Sequence, residues 1–391
     1  MIYLDHNATS PLLPAAADAV HEASLRYGAN PGSQHKPGRQ ARRALEDARE
    51  RFAELLGART GGTNPDRVIF TSGGTEANNL ALFGLIGPYS QTNHLQAASS
   101  LVTSAIEHPS ILEPAKRLQQ QGCQVTLVKV GKNGMARLDK FEQTLEPETS
   151  LVSLMLGNNE TGILQPVAEV AKLCAAHNIP LHSDAAQVVG KMPVHFAELN
   201  LAMLSCAAHK FRGPLGIGAL VVRHDVALQP IAFGGHQQAD LRPGTDTVAL
   251  AVGMLTALEH AQREAKQQRE KIASLRDQLE QRIQAEIPNA IVIGQGSARL
   301  PNTSNIAFAG LNRQALVMAL DLEGIACSTG SACSSGSSEL SPTLVAMGLD
   351  KEAAEGAIRF SLGATTTASE IDLAGRRILS CCKRLRQGRN H

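Results

Sequence analysis

The chain has 391 residues and a formal charge of +1, with 37 Lys and Arg against 36 Asp and Glu, so it lacks the electrostatic footprint of a protein that binds nucleic acid or a membrane surface. Its seven cysteines are odd in number and form no C-x-x-C, which argues against a disulfide framework or a Cys-rich zinc site and for a reducing, cytoplasmic setting. Met1-Ile2-Tyr3-Leu4-Asp5-His6 shows no signal-peptide pattern, and no apolar run approaches the ~20 residues of a membrane span.

In chain order, Gln40 to Gly57 reads as an amphipathic helix, with Ala41, Leu45, Ala48, Phe52, Leu55 and Leu56 on one stripe. Short apolar runs then alternate with turn or helical segments: Val68 to Phe70, Leu101-Val102, Val125 to Val130, Leu151 to Leu156, Ile179 to Leu181, Leu201 to Leu204 and Gly218 to Val222. Such alternation predicts an α/β fold with a mainly parallel sheet covered on both faces. Thr256 to Ile287 reads as one long polar helix, whose stripe of Ile272, Leu275, Leu279 and Ile283 is a core face. Shorter strands follow at Ala290 to Ile293, Ser304 to Ala309 and Ile358 to Leu362, so a domain boundary falls along that helix. The expected division is a large cofactor-binding domain, 16–260, and a smaller domain made of 1–15 and 261–391.

Three segments carry chemistry. Thr71-Ser72-Gly73-Gly74-Thr75-Glu76 follows a strand; its glycines let backbone approach an anion, and a following helix offers free N–H groups to a phosphate. Taken alone it is only a helix cap, the default for such a turn, and it lacks the P-loop lysine. His182-Ser183-Asp184 ends another strand. A carboxylate there can hold a pyridine nitrogen protonated, or simply cap the next helix. His182 and Asp184 lack a third ligand motif, so no metal is expected. Ser205 to Lys210 follows a further strand and precedes a Gly-rich turn; Lys210 there suits a Schiff-base amine, although most lysines are surface residues. Ser328 to Gly336 sets one thiol, Cys333, among small polar residues, a composition expected of a mobile, accessible loop.

Phosphate turn, Asp and Lys occur in the order of an aspartate-aminotransferase-like pyridoxal 5'-phosphate enzyme. Over nearly its whole length the chain resembles a cysteine desulfurase of the NifS/IscS type, in the class V aminotransferase family. The likeness rests on Tyr3 to Thr9, Asn30-Pro31-Gly32-Ser33, Glu107-His108-Pro109, Asn158-Asn159-Glu160-Thr161-Gly162, Arg242-Pro243-Gly244-Thr245, Ser331-Ala332-Cys333 and Ile358 to Gly363. The resemblance implies a large domain built on a mainly parallel seven-stranded sheet and a smaller α+β domain. It implies that Lys210 binds the cofactor covalently and moves protons, that Asp184 pairs with the ring nitrogen, and that His108 stacks on the ring and serves as an acid/base. Gln187 and Asn159 would contact the ring hydroxyl or the substrate. Gly74, Thr75 and His209 would bind the phosphate. Thr245 would reach the phosphate of a second subunit, which implies a homodimer with shared sites. Arg359 would clamp the carboxylate of the L-cysteine substrate.

The implied reaction yields L-alanine and a persulfide on Cys333, which passes to an acceptor protein such as an iron–sulfur scaffold or a thiolation relay. Cys327 reads instead as a structural residue at a strand end. A selenocysteine lyase, another class V enzyme or a non-catalytic scaffold of the same fold is the alternative. Ala207 stands where many members carry a phosphate-binding serine.

Overall fold

The computed structural model describes residues 1–87, 99–330 and 340–387. Every apolar run of the first half becomes a strand of one sheet. After β1 (Ile2–Tyr3) come β2 (Arg67–Thr71), β3 (Ser100–Ser104), β4 (Gln124–Val128), β5 (Leu151–Ser153), β6 (Leu181–Asp184), β7 (Met203–Ala207) and β8 (Gly218–Val222). The sheet order is β2-β8-β7-β6-β5-β3-β4. Only β8 runs against its neighbours, β2 and β7; the remaining pairings are parallel. β5 to β8 are buried along their whole length, as strands covered on both faces must be.

This order positions the site. The C-terminal ends of β2, β3, β5, β6 and β7 lie along one edge, where α/β sheets characteristically bind ligands. That edge receives the Gly73-Gly74 turn from β2, the His108 segment from β3, Asn159 from β5, Asp184 from β6 and Lys210 from β7. Asp184 and Ser205 are register partners across β6 and β7, so the acid and the lysine segment leave the sheet side by side.

The rest of the chain builds a second core. β9 (Ala290–Val292), β10 (Thr303–Phe308) and β12 (Ala357–Ser361) form an antiparallel sheet in the order β12-β10-β9. β1 pairs in parallel with β11 (Ile325–Ala326). Ile2 and Leu4 from the start of the chain pack with Leu279, Ile283, Phe308 and Phe360.

The single helix expected over Thr256 to Ile287 is two helices, Val248–Arg263 and Ala265–Glu286, with Glu264 between them. The cause is packing. The first lies on helices Pro14–Arg26 and Lys36–Leu55, whereas the second lies on helix Ala368–Gln387 and on β9 and β10. One straight rod cannot follow both cores. The stripe of Ile272, Leu275, Leu279 and Ile283 is buried in the second core, as its spacing predicts.

Candidate active site

A cavity of about 260 Å³ opens at the C-terminal edge of the large sheet. Gly74, Thr75, His108, Asn159, Asp184, Gln187, His209, Lys210 and Arg359 all line it. Thr245 does not; it lies with Tyr27, Asn30 and Pro31 around a separate surface cavity. Cys333 lies outside the described residues.

Lys210 sits in the short 3₁₀ turn Ala208–Phe211 that follows β7. Its Nζ donates to the carbonyls of Asn7 at 2.6 Å and Ala8 at 3.0 Å. Two backbone carbonyls thus hold the amine in place. Asp184, 7% exposed, accepts from Asn78 Nδ2 at 2.8 Å and from the Ala186 N–H at 2.9 Å. Burial holds His108 below the usual imidazole range, against the pull of Asp184 and with help from Lys210. Burial, with Lys210 and Lys191 nearby, takes His209 down to about 4.

Helix Gly74–Ile86 starts at Gly73 with no side-chain cap. Its first-turn N–H groups and the positive end of its dipole therefore face the cavity without a protein partner from a cap, the arrangement that receives a phosphate. Glu76 in that turn binds Arg242 at 2.9 Å, which ties the Arg242-Pro243-Gly244-Thr245 segment to the same helix. The Ala207 methyl would sit 3.5 Å from a β-carbon placed on Gly74, so the missing serine hydroxyl would have lain beside this helix start.

Arg359 enters from β12 and is 1% exposed. It pairs with Asp5 at 2.7 Å and donates to the Asn159 carbonyl at 3.0 Å and the Gly330 carbonyl at 2.5 Å. Its buried Nε has no partner among the described residues. A guanidinium so anchored, with a donor unused, suits a substrate carboxylate.

Sequence reasoning overlooked Lys191, Asn78 and Ser110. Lys191 donates to Gln187 Oε1 at 2.8 Å and Asn7 Oδ1 at 3.1 Å. Burial lowers its amine well below the usual lysine range, with Lys210 and Arg359 adding to the effect. Its position four residues after Gln187 was the available signal. Asn78 has no such signal, since its partners Ser110 and Asp184 are distant in sequence. His182, by contrast, serves the sheet: its ring nitrogens meet Ser153 Oγ at 2.9 Å and Ser205 Oγ at 2.8 Å.

The six described cysteines are free thiols. Burial pushes Cys123 up to about 11 and Cys174, Cys206, Cys327 and Cys382 up to about 12. Cys381 is raised in the same way. None of these is suited to act as a thiolate at neutral pH.

Residues 2–373 match the family described as Aminotransferase class-V. The chain belongs to that family. Within it, this class-V protein is 38% identical to "Cysteine desulfurase IscS" of Dictyoglomus turgidum, over 95% of its own length and 92% of the relative's. It is 39% identical to the "IscS-like cysteine desulfurase" of Mycobacterium tuberculosis, over 96% and 94%. A solved "NifS-like protein" superposes with a TM-score of 0.90 at 32% identity, covering 98% of this chain and all (100%) of that one. "SspA in complex with cysteine" superposes with a TM-score of 0.80 at 30% identity, over 94% and 100%. Within class V the chain is therefore of the NifS/IscS cysteine desulfurase type. Its cofactor is pyridoxal 5'-phosphate, and the acid, the amine, the imidazole and the uncapped helix start fit that group.

Proposed function

We propose that this chain takes the sulfur from L-cysteine, forms L-alanine and loads the sulfur on Cys333 as a persulfide. The observation that carries this reading is the meeting, in one cavity, of Lys210, Asp184, His108 and Arg359 with the start of helix Gly74–Ile86. When bound, pyridoxal phosphate supplies an electron sink for the charge that develops at the substrate Cα.

The protein's own groups supply the rest. Gly74, Thr75 and His209 bind the phosphate, Asp184 holds the ring nitrogen protonated, and Gln187 meets the ring hydroxyl. Arg359 and Asn159 seat the substrate and aim its Cα–H at Lys210, which moves the proton. Cys333, as thiolate, attacks the substrate sulfur. The new S–S bond forms as the C–S bond breaks; the electron pair stays with Cβ, and one proton taken up at Cβ and one returned to Cα complete alanine. The raised thiols of the other cysteines support Cys333 as the acceptor, Cys327 included.

The reading extends to a cytoplasmic homodimer in which Thr245 reaches the partner's phosphate. It also extends to delivery of sulfur to an acceptor protein such as an iron–sulfur scaffold. We divide the chain at 16–260 and at 1–15 with 261–391, a division supported by the separate core that joins Ile2 and Leu4 to the C-terminal sheet.

The test is alanine and sulfide release from cysteine with a reductant. Cys333→Ala is expected to fall to background while Cys327→Ala retains turnover. The reverse result would reassign the nucleophile, and no alanine from wild type would remove the reading.

A further inference from the structure

His108 caps helix Pro109–Gln120: its Nδ1 accepts from the Ser110 N–H at 3.1 Å. The same nitrogen lies 2.7 Å from Ser110 Oγ. Asn78, 1% exposed, donates from Nδ2 to Ser110 Oγ at 2.8 Å and to Asp184 Oδ2 at 2.8 Å. These contacts fix directions. A carboxylate only accepts, so the Asn78 amide must turn its NH₂ toward Asp184 and hence toward Ser110 as well. Ser110 Oγ accepts from Asn78, which leaves its proton for His108 Nδ1. The backbone N–H of Ser110 cannot rotate away. A proton on Nδ1 would therefore oppose a fixed donor.

We propose that Ser110 and Asn78 are positioning residues that lock His108 with its proton on Nε2 and couple it to Asp184 through one chain of hydrogen bonds. His108 then exchanges protons with cofactor or substrate through Nε2 alone. The inference deepens the desulfurase reading and rests on its use of His108 and Asp184. Among the described residues, the other charged or titratable groups lining the cavity are Lys210 and His209 after β7 and Arg359 on β12, with Glu107 buried just before His108. All of them are left intact by the substitutions below.

The experiment is ¹⁵N NMR of histidine-labelled full-length protein, with and without pyridoxal phosphate, alongside the pH profile of kcat/KM for cysteine. The His108 signals are assigned by their loss in His108→Gln. Wild type is expected to show a bare Nδ1 and a protonated Nε2. Losing a hydrogen bond that favours the neutral ring should raise the His108 pKa in Ser110→Ala by roughly 0.5–1 unit. The acid limb of kcat/KM should move with it, KM should change less than kcat, and Ser110→Thr should restore both. Asn78→Ala should shift the same limb.

A wild-type ring protonated on Nδ1 overturns the proposal whatever the variants do. So does a His108 titration that Ser110→Ala and Asn78→Ala leave unmoved. Alanine release by wild type tests the desulfurase reading separately from either result.

Discussion

Arg359 is held by the Asp5 carboxylate and by two backbone carbonyls, so its guanidinium is in position before any substrate arrives. Arg359→Lys keeps a charge but loses the planar fork. Losing a charge-assisted contact costs roughly 1.5–3 kcal/mol, so KM for cysteine should rise by about ten- to a hundredfold in steady-state assays. Glu107 shows the opposite use of a charged side chain. Its carboxyl is 3% exposed and accepts from Ser104 Oγ at 2.6 Å and the Met155 N–H at 2.9 Å. Burial pushes it up to about 8, against those two hydrogen bonds, with Asp184 adding a small push in the same direction. A folded-state pKa above the unfolded one means that the native protein holds the extra proton between about 4.5 and 8, so stability falls as pH rises through that window. Glu107→Gln should flatten this decline. Urea unfolding at pH 5 and pH 8 should separate wild type from variant on the order of 2 kcal/mol.

Gly253 lies where helix Val248–Arg263 crosses helix Pro14–Arg26. A β-carbon there would fall 2.3 Å from Val20 Cγ2 and 3.3 Å from the Ala16 carbonyl. Gly253→Ala must push the two helices apart and should lower stability by about 1–3 kcal/mol, measurable by thermal unfolding. Strands β5 to β8 were legible because their runs are buried on both faces and carry the signal in every residue. The break at Glu264 was not, because Arg263-Glu264-Ala265 holds no proline or glycine and the turn is imposed by two separate cores. At the site, Lys210, Asp184 and the Gly73-Gly74 turn could be read from chemistry and position. The Asn78–Ser110 chain could not, since it joins residues 32 and 106 positions apart. Nor could the grip on Lys210, because its acceptors are the backbone carbonyls of Asn7 and Ala8, which no side chain advertises.

At the scale of the whole molecule, burial acts on three histidines besides His108. Burial lowers His6, His182 and His209 to about 4, aided for His6 and His209 by nearby cations and opposed for His182 by Asp184. Each contributes stability that is present above its unfolded value of 6.5 and lost as pH falls toward 4. The urea midpoint should therefore drop between pH 6.5 and 4, and His182→Gln should reduce the slope of that drop while lowering the midpoint at neutral pH. The pairing of β1 with β11 has a consequence for the order of synthesis. Asp5, Asn7 and Ala8 are made long before Ile325 and Arg359, so β1 waits for Ile325 and Asp5 waits for Arg359. A nascent chain can complete the whole large sheet, Lys210 included, before β1 and Asp5 have their partners in β11 and β12. The lysine is thus made well before Arg359, and the cavity they share is complete only once β12 has been synthesised.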